Sequence, residues 1–158
     1  MRKKLIYLLF EWTQKIYIKH KKKDPWNITK TELLTYPKYT LGYKIGNFLH
    51  QNNFDLLPKV ERHDAYHVIT GYGTKVEDEV ALQYVCMGNG KRSWYSYGTV
   101  IIGTILLPEY LSYFFKSYKL GKECNVFHYF DFKKLLNEDF KELQKIIFTK
   151  KQMYEFSI

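Results

Sequence analysis

Cysteine is scarce in this chain. Cys86 and Cys124 are the only two among 158 residues, and they form neither a disulfide framework nor a metal-type pair. They read as reduced, buried thiols of a cytoplasmic protein, a setting in which the sequon Asn27-Ile28-Thr29 carries no sugar. Long apolar runs are missing as well. The longest, Thr99 to Leu107, stops at Pro108-Glu109, whereas a spanning helix needs about 20 such residues. The start has a basic end and then a short apolar run, Leu5 to Phe10, with no small-residue cleavage site after it, so no targeting segment is expected. The mean hydropathy of −0.40 agrees. No internal repeat, low-complexity tract or long linker occurs. Acidic residues are outnumbered, 16 against 25 Lys and Arg, which leaves a net charge of +9. That balance favours an anionic partner: a membrane surface, nucleic acid or an acidic ligand.

What is present is aromatic and apolar. Aromatics reach 18% of the chain, too many for a disordered segment, and the length suits one domain with one sizeable core. Leu5, Leu8, Leu9, Trp12 and Ile16 recur at helical spacing and predict a helix over 3–19. The basic run His20 to Lys23 with Asp24-Pro25 ends it. Thr29 or Thr31 starts a short helix that stops before Pro37. A helix over 41–51 turns Leu41, Ile45, Phe48 and Leu49 inward and breaks at Asn52-Asn53. Two helices follow, over 59–70 and from Lys75 to Gly88-Asn89-Gly90, joined by Gly71-Tyr72-Gly73. Thr74 and Glu77 match a capping box for the second. Trp94 to Leu107 has strand-like β-branched residues but the length of a buried helix, and is read as helix. Helices over 109–118, 130–136 and 138–148 complete an all-α reading: a single compact helical domain over 1–158 with a metal-binding helical hairpin. Residues 1–24 are its basic amphipathic N-terminal helix and basic tail.

The stretch Glu61 to Tyr84 concentrates the chemistry. His63 and His67 are four apart and share a helix face, with Asp64 at its edge. On the second helix, Val76, Val80, Tyr84 and Met87 mark the inward side, and Glu79 lies on or beside it. A carboxylate buried without a partner costs several kcal/mol or takes up a proton. The short turn predicts antiparallel neighbouring helices and brings Glu79 toward the two imidazoles. Two imidazoles and two carboxylates suit one divalent cation: zinc first, with manganese, iron or magnesium compatible. The competing reading is a salt-bridged helix pair, Asp64 with Arg62 or Lys59 and Glu79 with Lys75.

The pattern His63-Asp64-Ala65-Tyr66-His67, eleven residues, then Glu79 resembles the signature of the ubiquinone (coenzyme Q) biosynthesis protein Coq-four family. Tyr39 to Leu49, Gly71 to Leu82, Tyr118 to Gly121 and Phe130 to Phe132 extend the likeness over about residues 30 to 148. The resemblance implies a mostly helical fold and a metal held by His63, Asp64, His67 and Glu79. It implies an isoprenoid-lipid site for a prenylated quinone precursor. It also implies peripheral association with an anionic membrane and a place among other quinone-biosynthesis proteins. The family is credited with organising that complex and with oxidative decarboxylation of a polyprenyl-benzoate precursor. Met87 to Arg92 departs from the family's usual segment. A homodimer is expected, in the cytoplasm and peripherally on the inner membrane.

Rival classes leave weaker traces. A His-Asp phosphohydrolase needs an upstream His and a downstream Asp, for which His50 and Asp131 are loosely placed. A zinc protease would need a Glu where Asp64 stands. A non-catalytic lipid-binding scaffold with a structural metal uses the same four residues. No nucleic-acid motif accompanies the basic charge. Val100 to Phe115 holds more apolar side chains than one packed helix face needs, which suits a core, a lipid groove, or both. The N-terminal helix, with Lys3, Lys4 and Lys15 beside its apolar residues, suits an anionic bilayer face or docking on the core.

Overall fold

The computed structural model describes residues 2–156 and 158, with all their side chains but those of Glu11 and Gln14. The helices are α1 (Arg2–His20), α2 (Lys30–Leu34), α3 (Leu41–Gln51), α4 (Glu61–Thr70), α5 (Val76–Gly88), α6 (Trp94–Leu106), α7 (Leu111–Glu123), α8 (Phe140–Ile147) and α9 (Lys150–Glu155). Short 3-10 turns cover Pro108–Tyr110 and Phe132–Leu135. No strand occurs among the described residues, and Thr40 and Asp139 form an isolated bridge. The chain is an all-α domain whose packing divides into two compact units. Met1, the first residue of the expected domain and its N-terminal helix, and Ser157 lie outside the described residues.

One unit takes α1 together with Tyr72–Tyr129. Its centre is α5, where every residue from Val80 to Cys86 is buried. The expected inward stripe is therefore too narrow, because α5 is enclosed nearly all round. Its most extensive packing is against α7. Small residues permit that approach: a Cβ on Gly121 would lie 2.0 Å from the Val85 carbonyl oxygen, and one on Gly88 would lie 2.2 Å from that of Tyr118. Fully buried Val80, Leu82 and Val85 each contribute about 1.5–3 kcal/mol. Asn89 caps the end of α5. Its amide donates to the Gly121 and Asn125 carbonyls at 3.0 and 3.2 Å and accepts from Phe127 and His128 N–H at 2.8 and 3.0 Å. Both thiols are buried here, and burial raises both, Cys124 to about 11.

The other unit takes Lys21–Gly71 and Phe130–Ile158. Thr29 and Glu32 form a capping box on α2. Leu41, Ile45 and Leu49 of α3 are buried, and α3 packs on α2 and α4. The N–H groups of Leu41 and Gly42 donate to the Glu138 and Leu136 carbonyls, at 3.0 and 2.8 Å. On α8, Leu143 and Ile147 point inward, and Gln144 donates to the Ile69 carbonyl at 3.0 Å. Buried Glu61 accepts from the Trp26 N–H at 2.9 Å.

Several local expectations change. The helix α5 starts one residue later than a Thr74–Glu77 capping box predicts: Lys75, not Thr74, is the N-cap, with extended backbone and no side-chain cap bond of its own. Glu77 accepts from Lys3 at 2.9 Å. The helix expected over 109–118 begins as a 3-10 turn at Pro108 and runs on to Glu123, and the one expected over 130–136 is only the turn Phe132–Leu135. The helix α9 was not expected. On α1, Leu5, Leu8, Trp12 and Ile16 are exposed and Ile6 is buried. The apolar surplus of 100–115 divides: Val100, Leu107 and Phe114 are buried, while Ile101, Ile105 and Phe115 are exposed. Among the described residues no single helix is long and apolar enough to cross a membrane; α6 and the segment Pro108–Glu123 reach that composition together, as a pair bent by 103°.

Candidate metal centre

The site is built from two successive helices. On α4, His63 and His67 stand one turn apart. Gly71 ends the helix in the left-handed conformation, φ 72°, and its N–H donates to the His67 carbonyl at 2.8 Å. Left-handed backbone costs glycine little and other residues more. His67 is only 3% exposed. Phe48 of α3 stacks on its ring at 5.4 Å, with 18° between the planes. His63 meets the same ring edge-on at 4.6 Å. The imidazoles are thus held by α3 packing on α4.

The first turn of α5 carries three successive carboxylates. Successive helix positions point about 100° apart, and the three find three different neighbours. Glu77 faces Lys3 and Tyr110. Asp78 accepts from the Tyr113 hydroxyl at 2.9 Å. Burial first, then the Asp78 charge, pushes the Tyr113 phenol far up. Glu79, half-buried, goes to the histidines. The positive helix start favours a carboxylate by about 0.3–1 kcal/mol.

His63, His67 and Glu79 each offer a ligand atom, and these atoms all lie within 4.8 Å of one another. This group could hold a metal ion. The two Nε2 atoms are 3.1 Å apart. Without a cation, one neutral ring must donate while the other accepts. Nitrogens at that spacing would be able to share one cation. The donor set, two imidazoles and a carboxylate, suits the ions expected from the sequence.

Of the four residues expected to ligate, three come together. Asp64 is half-buried on α4 and does not join the group. The two helices also take their main packing partners elsewhere, α4 on α3 and α5 on α7. His50 and Asp131, the phosphohydrolase candidates, are exposed and outside the group. Two neighbours were not foreseen. Phe48 was read only as an inward apolar residue. Tyr95 of α6 carried no motif. Its phenol rises to about 12 through burial first and the Glu79 charge second, and its ring stacks on Tyr17 at 5.0 Å. No spacing rule links Tyr95 to Glu79, so only the folded arrangement identifies it.

Comparisons with known proteins agree with this fold. The family model of the coenzyme Q (ubiquinone) biosynthesis protein Coq4 matches residues 57–151, which include all four expected ligands. A solved structure from Nostoc punctiforme, assigned to ubiquinone biosynthesis, superposes with a TM-score of 0.62. It shares 14% identity, over 93% of this chain and 81% of that one, so the likeness is one of fold. Among the curated proteins none matches the chain. With a family match over more than half its length, the chain belongs to the coenzyme Q (ubiquinone) biosynthesis protein Coq4 family.

Proposed function

We propose that the chain binds one divalent cation through His63, His67 and Glu79, and there handles a prenylated aromatic acid on the route to a ubiquinone-like quinone. Family membership implies a role in coenzyme Q biosynthesis. The observation that carries the finer reading is the convergence of two imidazoles and one carboxylate within 4.8 Å. Three protein ligands leave coordination positions for water or a substrate carboxyl group, as in catalytic rather than closed structural sites. Asp64, beside His63 and matching the family pattern, is proposed as the fourth group; with it as a ligand too, a four-coordinate cation has no open position and its role is structural.

When bound, the cation supplies a Lewis acid that stabilises negative charge on the substrate's carboxyl group. The residues around it do the rest. His63 and His67 present lone pairs from one helix face. Phe48 covers the His67 ring and limits its access to water. Tyr95, raised to about 12, keeps its proton at neutral pH and remains a donor beside Glu79. Zinc serves for charge stabilisation, whereas an oxidative decarboxylation needs manganese or iron, because zinc does not exchange electrons.

The reading extends to partners and place. Exposed Ile101, Ile105 and Phe115 support contact with a prenyl tail. The net charge of +9 supports a position on an anionic inner membrane; the cytoplasmic setting, a second copy and other quinone-biosynthesis proteins as partners are part of the proposal. The test is the metal content of purified protein, wild type against Glu79→Gln, with mass spectrometry of any lipid that co-purifies. We expect about one ion per wild-type chain, a clear loss in the variant, and a prenyl lipid in the extract. Equal metal content in both proteins would remove Glu79 from the site. Metal without turnover on any prenylated aromatic acid would leave the scaffold role.

A further inference from the structure

Three residues of α7, Tyr113, Ser117 and Gly121, follow one face at helical spacing. Each meets a different part of the chain between Tyr72 and Val85. Gly121 lies against the Val85 carbonyl. The buried Ser117 hydroxyl accepts from the Tyr72 hydroxyl at 2.7 Å and donates to the Tyr113 carbonyl at 2.8 Å. The Tyr113 hydroxyl donates to Asp78 at 2.9 Å, and its ring stacks on that of Tyr72 at 5.9 Å. All of these residues belong to the unit that holds Glu79.

Asp78 is held from both sides. One carboxylate oxygen takes the Tyr113 hydroxyl. The other faces the turn, where a Cβ on Gly73 would lie 2.7 Å from it. A side chain at Gly73 would therefore displace that carboxylate. The stretch from Tyr72 to Asp78 is thus fixed at its start by Ser117 and at its end by Tyr113. Glu79 follows at once. Its ligand atom lies within 4.8 Å of those of both imidazoles. Successive helix residues point about 100° apart, so a slip or rotation of this first turn would carry Glu79 away from them.

We propose that Tyr113 is a positioning residue for the metal ligand Glu79, acting through Asp78, with Tyr72 and Ser117 bracing the turn. The inference rests on the metal reading proposed above and deepens it. A hydroxyl that fixes the residue next to a ligand raises affinity by removing arrangements in which the ligand is misplaced. Groups bonded directly to a ligand contribute about ten- to hundredfold in affinity, so one residue removed the effect should be about three- to tenfold.

The test is cobalt(II) binding to the full chain, read as a dissociation constant and as the visible absorption of the bound ion, which follows its ligands and geometry. Tyr113→Phe removes the hydroxyl and keeps the ring; it should bind cobalt about three- to tenfold more weakly, with an altered spectrum. Asp78→Ala should do the same, and the double variant should be no worse than either single, because both delete one interaction. Asp78→Asn keeps an acceptor for Tyr113 and should bind like wild type. Asn89→Ala loosens the far end of α5 and should leave both readouts unchanged, which separates positioning from lost stability. Wild-type binding in Tyr113→Phe, or equal weakening in Asn89→Ala, overturns the positioning role and leaves the metal site standing. Asp78→Asn as weak as Asp78→Ala overturns it too, because charge rather than the hydrogen bond would then be at work. A wild-type chain that takes up no cobalt sinks the metal reading, and this inference with it.

Discussion

The helices α5 and α1 belong to the same unit and carry comparable stretches of apolar side chains, yet α5 is enclosed from Val80 to Cys86 whereas α1 buries only Ile6 among its described residues. Apolar content does not separate them; size and charge do. Along α5, Ala81 and Gly88 let a neighbour come close, and Gly121 on α7 answers them. Along α1, bulky Tyr7, Leu8 and Trp12 are flanked by exposed Lys4, Lys15 and Lys19. The enclosed helix sets the position of Glu79, and the open one meets its unit through Lys3 on Glu77 and Tyr17 on Tyr95.

The largest effect should come from filling the α5–α7 contact. Gly121→Ala places a Cβ where Val85 already has its carbonyl, 2.0 Å away. The helices must move apart, at a cost of about 1–3 kcal/mol or more. Urea unfolding should show the midpoint fall with little change in slope; an unchanged midpoint would mean the contact is looser than described. Asn89→Ala should cost nearly as much, about 1–3 kcal/mol, since it strands buried backbone groups of Gly121 and Phe127. Thermal melting reads that loss directly.

The same comparison sharpens on the open helix. Leu8→Ser and Trp12→Ser should change stability by no more than about 0.5 kcal/mol, as surface substitutions do. A loss of several kcal/mol would show that Leu8 and Trp12 belong to the packed face of α1 with Ile6, Leu9 and Phe10. The smallest effect is a pH dependence at α2. The Thr29 hydroxyl and N–H hold the Glu32 carboxyl below its ordinary 4.5. A lowered carboxyl pKa stabilises above the unfolded value, and that contribution disappears as pH falls through the folded one. Amide exchange at the start of α2 should therefore quicken only in acid, below about pH 4.

Much of this was readable in the residues. The bounds of α3 follow from Thr40 as cap and Asn52 as stop, and those of α5 from Gly88-Asn89-Gly90. His63, His67 and Glu79 were legible because a four-residue step and a short turn are local geometry. What escaped was tertiary or finely local. Whether a carboxylate in the first turn of α5 caps the helix, pairs with Lys3 or faces an imidazole depends on helices far along the chain. Phe48 and Tyr95 border the site through packing that no spacing encodes. The helix α9 did have a signal, Thr149 with Gln152 in a capping box, in a segment too short for apolar periodicity. The aromatic run at 109–118 hid a start made irregular by Pro108 and an end that only Leu120 and Gly121 reveal by packing on α5.

The central claim is that two imidazoles and the Glu79 carboxylate share one cation. X-ray absorption at the metal edge of the loaded protein tests it most directly. The account predicts scattering from two imidazole rings with oxygen completing the shell, reduced to one ring in His63→Ala. A shell of oxygen alone, or one untouched by that substitution, would contradict it.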